Sequence, residues 1–213
     1  MSSAFTTGPG PADLHAWPVL RSLLDGRPYL PFSSGAMRAS GLVHVCNLVV
    51  HRAPAQLVEC GSGVSTVVLA RLLAQRGTGV LTALEHDAGW ATHVQESLAR
   101  EGLEEVASVV HAPLDDDGWY AADGVRALPA TIGLLLVDGP PADRPEIAQA
   151  RHPALGRLAR RLAPDATVVL DDIGRGGEQE VLRRWEQEHP WRFERLQDEA
   201  IAVGRRSATS QEP

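Results

Sequence analysis

Residues 57–70, Leu57-Val58-Glu59-Cys60-Gly61-Ser62-Gly63-Val64-Ser65-Thr66-Val67-Val68-Leu69-Ala70, decide the fold. A short apolar run ends on an acid, a Gly-Ser-Gly turn follows, and helical spacing begins near Ser65. Gly61 and Gly63 can take positive φ and let a ligand approach the backbone. Ser65 and Thr66 open a helix whose free N–H groups favour an anionic group. Gly-x-Gly turns also serve as plain connections, so this one takes its meaning from its surroundings.

Outward from it, the same alternation repeats. The patterns predict strands at Gln56–Cys60, Val80–Leu84, Ala107–His111, Ile132–Asp138 and Thr167–Asp171. Helical spacing predicts helices over Met37–His51, Ser65–Gln75, Ala88–Glu101, roughly Glu146–Leu162, and Glu178–Glu188. Arg192–Leu196 and Ala200–Gly204 suit a terminal antiparallel pair. The expected fold is therefore α/β: a Rossmann-like, doubly wound sheet, mostly parallel, with helices on both faces. Residues 1–12 and 205–213 read as flexible tails around one domain, 13–204.

Composition excludes several chemistries. All twenty basic residues of the 213 are arginine, against 27 acids, for a net charge of −7. Without lysine there is no Schiff-base catalysis, no P-loop lysine and no lysine general base. The arginines are scattered among acids and form no basic stripe, which argues against a nucleic-acid partner. No apolar run approaches the roughly 18 residues of a membrane span. The first dozen residues lack a charged start and an apolar stretch, so no signal peptide is expected. Cys46 and Cys60 read as buried thiols in a reducing compartment, and the expected location is the cytoplasm.

Ligands of such sheets sit beyond the carboxyl ends of the strands. The second strand ends at Leu84-Glu85-His86-Asp87, with Glu85 placed where an adenosine ribose would need an acceptor for its two hydroxyls. A helix-start carboxylate is the plainer role for Glu85. Two ligand classes fit, a dinucleotide or S-adenosylmethionine. Thr66 stands where a dinucleotide fingerprint wants its third glycine, and Glu59 suits a ligand with a positive amino group. Both features favour the sulfonium cofactor over an NAD-dependent oxidoreductase.

The strings LVECGSGVSTVVLA, ALEHD, APL with WY beyond it, LLVDGPP and VVLDDIGR fall in order at all five strand ends. Together they resemble the class I S-adenosylmethionine-dependent methyltransferases, in particular the small bacterial branch akin to the catechol and caffeoyl-CoA O-methyltransferases. The resemblance covers roughly residues 30–205. It implies that Glu59, Gly61, Ser62, Gly63 and Ser65 hold the methionine part of the cofactor and Glu85 the ribose. His86 and the Ala112-Pro113 segment would lie near the adenine. It also implies a small-molecule methyl acceptor, and relatives of this kind are often homodimers. A methyltransferase fold used as a binding module without turnover is the alternative.

The fourth and fifth strands end in Asp138 and in Asp171-Asp172, which the family's strand order makes neighbours. Clustered carboxylates suit Mg²⁺ or another hard divalent cation. The related metal-dependent enzymes carry Asp-Asn at the second position, where this chain has Asp-Asp. The plainer alternative puts Asp138 on the cofactor's amino group and Asp172 on the next turn as a cap. Those relatives also place a catalytic lysine three residues after the metal aspartate, and here that residue is Pro141. His111, His152, or Asp138 with a metal are the candidate replacements. Arg144 and Arg175 are candidates to clamp an acidic acceptor, and Trp119-Tyr120 to wall an aromatic one. Asp115-Asp116-Asp117-Gly118 reads as a solvated loop, and Tyr29–Gly35 as a lid over the cofactor.

Overall fold

Alternating apolar residues build the sheet. In a computed structural model, which describes residues 10–33 and 35–207, β1 (Gln56–Cys60), β2 (Val80–Glu85), β3 (Ala107–His111), β4 (Ile132–Val137) and β5 (Leu162–Leu170) run parallel. β6 (Trp191–Leu196) and β7 (Ile201–Arg206) close the sheet as an antiparallel pair, with β7 against β5. The order is β3-β2-β1-β4-β5-β7-β6. Strand order reverses between β1 and β4, so the crevice for a ligand opens there.

Both faces of the sheet are covered. On β4, Leu134 and Leu136 pack on one face while Leu135 and Val137 pack on the other. The first face meets α1 (Pro11–Leu24), α2 (Ala39–Arg52), α3 (Val64–Arg76) and α4 (Ala88–Arg100). The second meets α6 (Pro153–Leu158) and α7 (Gly176–Glu188), with Trp185 fully buried beneath the sheet; the short α5 (Ala122–Arg126) precedes β4. Burying each Leu or Val on these faces contributes about 1.5–3 kcal/mol. Cys46 and Cys60 are buried and unbridged. No described helix is long and apolar enough to cross a membrane.

The structure departs from the sequence expectations in three places. A helix, α1, begins at Pro11, inside the stretch expected to be a tail, and β7 runs to Arg206. The remainder of the expected tails, residues 1–9 and 208–213, lies outside the described residues. Pro18 inside α1 masks its helical signal, because proline removes a backbone donor. Tertiary contacts hold the helix instead: the Asp13 carboxylate accepts from Gly10 N, from the Arg38 guanidinium, and from Ser40 N and Oγ. Burial opposes the charge on Asp13, yet Arg38 and Ser40 outweigh it and hold the carboxyl down at about 2.

The second departure is the helix expected over 146–162. It is replaced by a 3-10 turn, Pro145–Ile147, a run of turns, and the six residues of α6. Pro153 can start a helix but cannot continue one, so α6 begins on it. The turn left upstream carries Arg151 inward. The third is β5, which starts at Leu162; its register against β4 shifts so that residues 163–166, including Pro164, stand out of the ladder.

Candidate active site

The turn after β1 is held by contacts that need glycine. Gly61 has φ +89°, and a Cβ there would meet Gly139 N at 2.9 Å. Asp138 N and Gly139 N both donate to the Cys60 carbonyl, so the ends of β1 and β4 sit against each other. Gly63 is different: its φ of 172° is ordinary extended backbone, and a Cβ would enter open space.

Glu59 is fully buried behind this turn. The Ser65 hydroxyl donates to it at 2.5 Å and the Thr66 hydroxyl at 2.6 Å, while Gly63 N donates to Thr66 Oγ1. Thr66, in the third-glycine position, thus pins the turn to the helix start. Burial pushes the Glu59 carboxyl up to about 8; the two hydroxyls oppose this, and nearby Asp138 and Glu85 add to it. Glu59, Gly63 and Ser65 lie outside the wall of the neighbouring cavity, whereas Gly61 and Ser62 belong to it.

Glu85 ties the second loop to the first. Its carboxylate accepts from Ser62 N at 3.0 Å, Ser62 Oγ at 3.1 Å and Asp87 N at 3.0 Å, and pairs with His86 Nδ1 at 2.9 Å. The Trp90 indole donates to the Ser62 carbonyl at 2.8 Å. Trp90 was not foreseen from the sequence.

A cavity of about 470 Å³ opens between these loops and the ends of β4 and β5. Ser62, Glu85, His86 and Trp90 line one side; Asp138, Pro140, Arg151, Asp172 and Arg175 line the other. The volume suits a small-molecule site. Tyr120 reaches it from the loop after β3; its hydroxyl is buried and, among the described residues, has no hydrogen-bond partner. Burial holds its pKa well above the usual value, so it is a donor awaiting an acceptor. An orphaned buried donor and a walled cavity both fit a bound cofactor.

The acids at the ends of β4 and β5 do converge. Asp138, Asp171 and Asp172 offer oxygens within 4.8 Å of one another. Asp172 adopts φ +63°, an uncommon conformation for a residue other than glycine. Arg151 stands among them, almost fully buried. It donates to Asp138 Oδ1 at 3.3 Å, Asp172 Oδ2 at 3.1 Å, the Asp171 carbonyl at 3.2 Å and the Pro140 carbonyl at 3.3 Å. Arg175 adds a second cation at 2.9 Å from Asp172. Burial raises Asp138 to about 7, with Arg151 opposing and Asp172 reinforcing the shift. Burial, reinforced by Asp138 and Asp172 and opposed by Arg151, holds the Asp171 carboxyl well above the usual carboxylate range. A divalent ion wants several free hard oxygens; guanidinium groups already engage the Asp138 and Asp172 carboxylates, while Arg151 meets Asp171 through its backbone carbonyl. With a guanidinium standing between two of the three carboxylates, a divalent ion would have to compete with a resident cation for them.

The remaining sequence candidates lie elsewhere. His111 ends β3 with Nε2 at 3.3 Å from the His86 carbonyl, outside the cavity wall. His152 faces α7, pairing with Glu188 at 2.9 Å and accepting the Trp185 indole on its carbonyl. Ala112 is buried under Gly124 and donates its N–H to the Glu85 carbonyl. Asp115 and Asp117 shape their own turn and pair with Arg157. Arg144 is exposed, and Arg175 is engaged by Asp172. Of the expected lid, Gly35 lines the cavity, and Ser34 lies outside the described residues.

Known proteins place this architecture. The family described as methyltransferase domain matches residues 58–173. No curated protein matches. Among solved structures, the SAH-bound methyltransferase PaMTH1 from Podospora anserina is 13% identical with a TM-score of 0.65, covering 93% of this chain and 89% of that one. The O-methyltransferase from Bacillus cereus in complex with SAH is 15% identical with a TM-score of 0.57, covering 92% and 90%. TomG from Streptomyces achromogenes, an O-methyltransferase involved in tomaymycin synthesis and solved with SAM, is 18% identical with a TM-score of 0.52, covering 93% and 91%. These likenesses show the fold. The family match runs from β1 past the end of β5, through the loops after β1, β2, β3 and β4 that wall the cavity, and the chain belongs to the methyltransferase-domain family as a class I S-adenosylmethionine-dependent methyltransferase.

Proposed function

We propose that the chain methylates an oxygen of a small-molecule acceptor. The observation that carries this is the cavity itself, which faces the cofactor loops on one side and Asp138 on the other. S-adenosylmethionine, when bound, supplies a methyl group on a positively charged sulfur. Glu85 holds the ribose hydroxyls, and the Gly61–Gly63 turn receives the methionine part with Glu59 fixing the turn from behind. His86 flanks the adenine, Ala112 supports that side from below, and Tyr120 donates to whichever acceptor atom reaches it.

Asp138 is the base. Of the three candidates Asp138, His111 and His152, it alone lines the cavity. Its carboxylate takes the acceptor's hydroxyl proton as that oxygen bonds to the methyl carbon; the carbon–sulfur bond breaks and its electron pair stays on sulfur. The rest of the work is alignment and exclusion of water. No step uses a metal. The spacing of Asp138, Asp171 and Asp172 favours a cation between them, and Arg151 supplies one.

A panel of phenols, sugars and hydroxy acids with methyl-labelled cofactor tests the reading. Label in an ether or ester product is expected. Label on nitrogen or carbon, or cofactor binding without turnover on any member, would overturn it.

A further inference from the structure

We propose that Arg151 is a resident counter-cation standing in the place of a divalent ion, so that this chain has dispensed with metal at the acid cluster. The consequence for transfer rests on the O-methylation reading above; the cation chemistry does not.

The geometry is that of a filled site. The guanidinium bridges the ends of β4 and β5, touching one carboxylate from each and one backbone carbonyl from each. A third carboxylate, Glu178 of α7, lies 3.5 Å from Nη1. Arg151 is 3% exposed, so a metal entering between Asp138 and Asp172 would have to expel it from five partners or sit against it. Expulsion would strand a charge in the protein interior, and contact would set like charges together. Its charge persists at every working pH. The broken helix explains how it arrives: only because α6 starts at Pro153 does the preceding turn aim residue 151 at the cluster.

The guanidinium also differs from a metal in what it offers. Its Nε–H, both protons of Nη1 and one of Nη2 are spent on Pro140, Asp171, Asp172 and Asp138. One N–H of Nη2 is left over on a residue that lines the cavity. It can donate to a single acceptor oxygen as that oxygen gains negative charge, but it cannot be chelated by a vicinal pair. Acceptors with one hydroxyl are therefore handled as well as catechols.

Mn²⁺ titration followed by electron paramagnetic resonance tests this, on the full chain and on Arg151→Met, which removes the charge at similar volume. The wild type is expected to show no saturable Mn²⁺ binding at millimolar metal, and methyl transfer on any accepted substrate to be unchanged by EDTA. Arg151→Met is expected to gain one saturable Mn²⁺ per chain, and to lose it again when Asp138→Asn is added. Stoichiometric Mn²⁺ binding by the wild type overturns the proposal, and that result needs no variant to fold. A folded Arg151→Met that binds no Mn²⁺ overturns it as well, because the acids would then not be a cation site. Loss of transfer without any change in these titrations would count against the O-methylation reading alone.

Discussion

Asp138→Asn is expected to slow methyl transfer by about 10²–10⁴-fold, the usual loss when a positioned general base is removed. The substitution keeps the shape and the Arg151 hydrogen bond while removing the ability to accept a proton. Affinity for S-adenosylmethionine, measured separately, is expected to move little, because Glu85 and the Gly61–Gly63 turn remain. The pH profile adds an independent readout. Burial raises the Asp138 carboxyl to about 7, and a base works in its ionised form. The wild-type rate should therefore climb with pH below neutrality and level off above it, and the residual rate of the variant should lack that limb. A variant that keeps full turnover would remove Asp138 from the chemistry. One that loses cofactor affinity and turnover together would assign it to the cofactor's amino group.

The second large effect concerns stability. Arg71→Ala is expected to cost about 3–5 kcal/mol, the range for removing one partner of a buried ion pair. Arg71 on α3 is fully buried, and its Nε and Nη2 donate to the Glu101 carboxylate at 2.9 and 2.7 Å. Nη1 donates to the Leu23 carbonyl at 2.9 Å and Nη2 to the Pro28 carbonyl at 3.1 Å. One side chain thus joins α3 to the end of α4, the end of α1 and the segment that leads toward α2. Its loss strands a carboxylate and two carbonyls. Thermal unfolding should show a fall of roughly 10 °C for a chain of this size. Adding Glu101→Met should recover part of it, because the stranded charge is then gone. A change below about 1 kcal/mol would mean water screens the pair.

The strand ends were legible because they follow from simple periodicity and from turn chemistry. β1 to β4 stand within one residue of their expected places and β5 ends within one residue of its own, and the Gly61 turn and Glu85 meet across β1 and β2 as the pattern implied. What could not be read depends on contacts distant in sequence. α1 is hidden by Pro18 and stabilised through Asp13, Arg38 and Ser40, 25 and 27 residues apart. His152 looked available and is engaged by Glu188 on α7, 36 residues on. Arg151 had no local signal except Pro153, which forbids the long helix expected there and so leaves an arginine in a turn beside the acids. The absence of lysine was plain in the composition; the arginine that takes over the cationic role at this edge of the site was visible only once β4, β5 and α7 were brought together.

Calorimetric titration of the wild type and of Glu85→Ala with S-adenosylmethionine tests most directly whether the cavity between β1 and β4 holds the cofactor. One site is expected in the wild type. Loss of a charge-assisted hydrogen bond should weaken the variant by about 10–100-fold, with a far smaller change in its unfolding temperature. No heat of binding to the wild type at millimolar cofactor, or equal affinity in the two proteins, would contradict it.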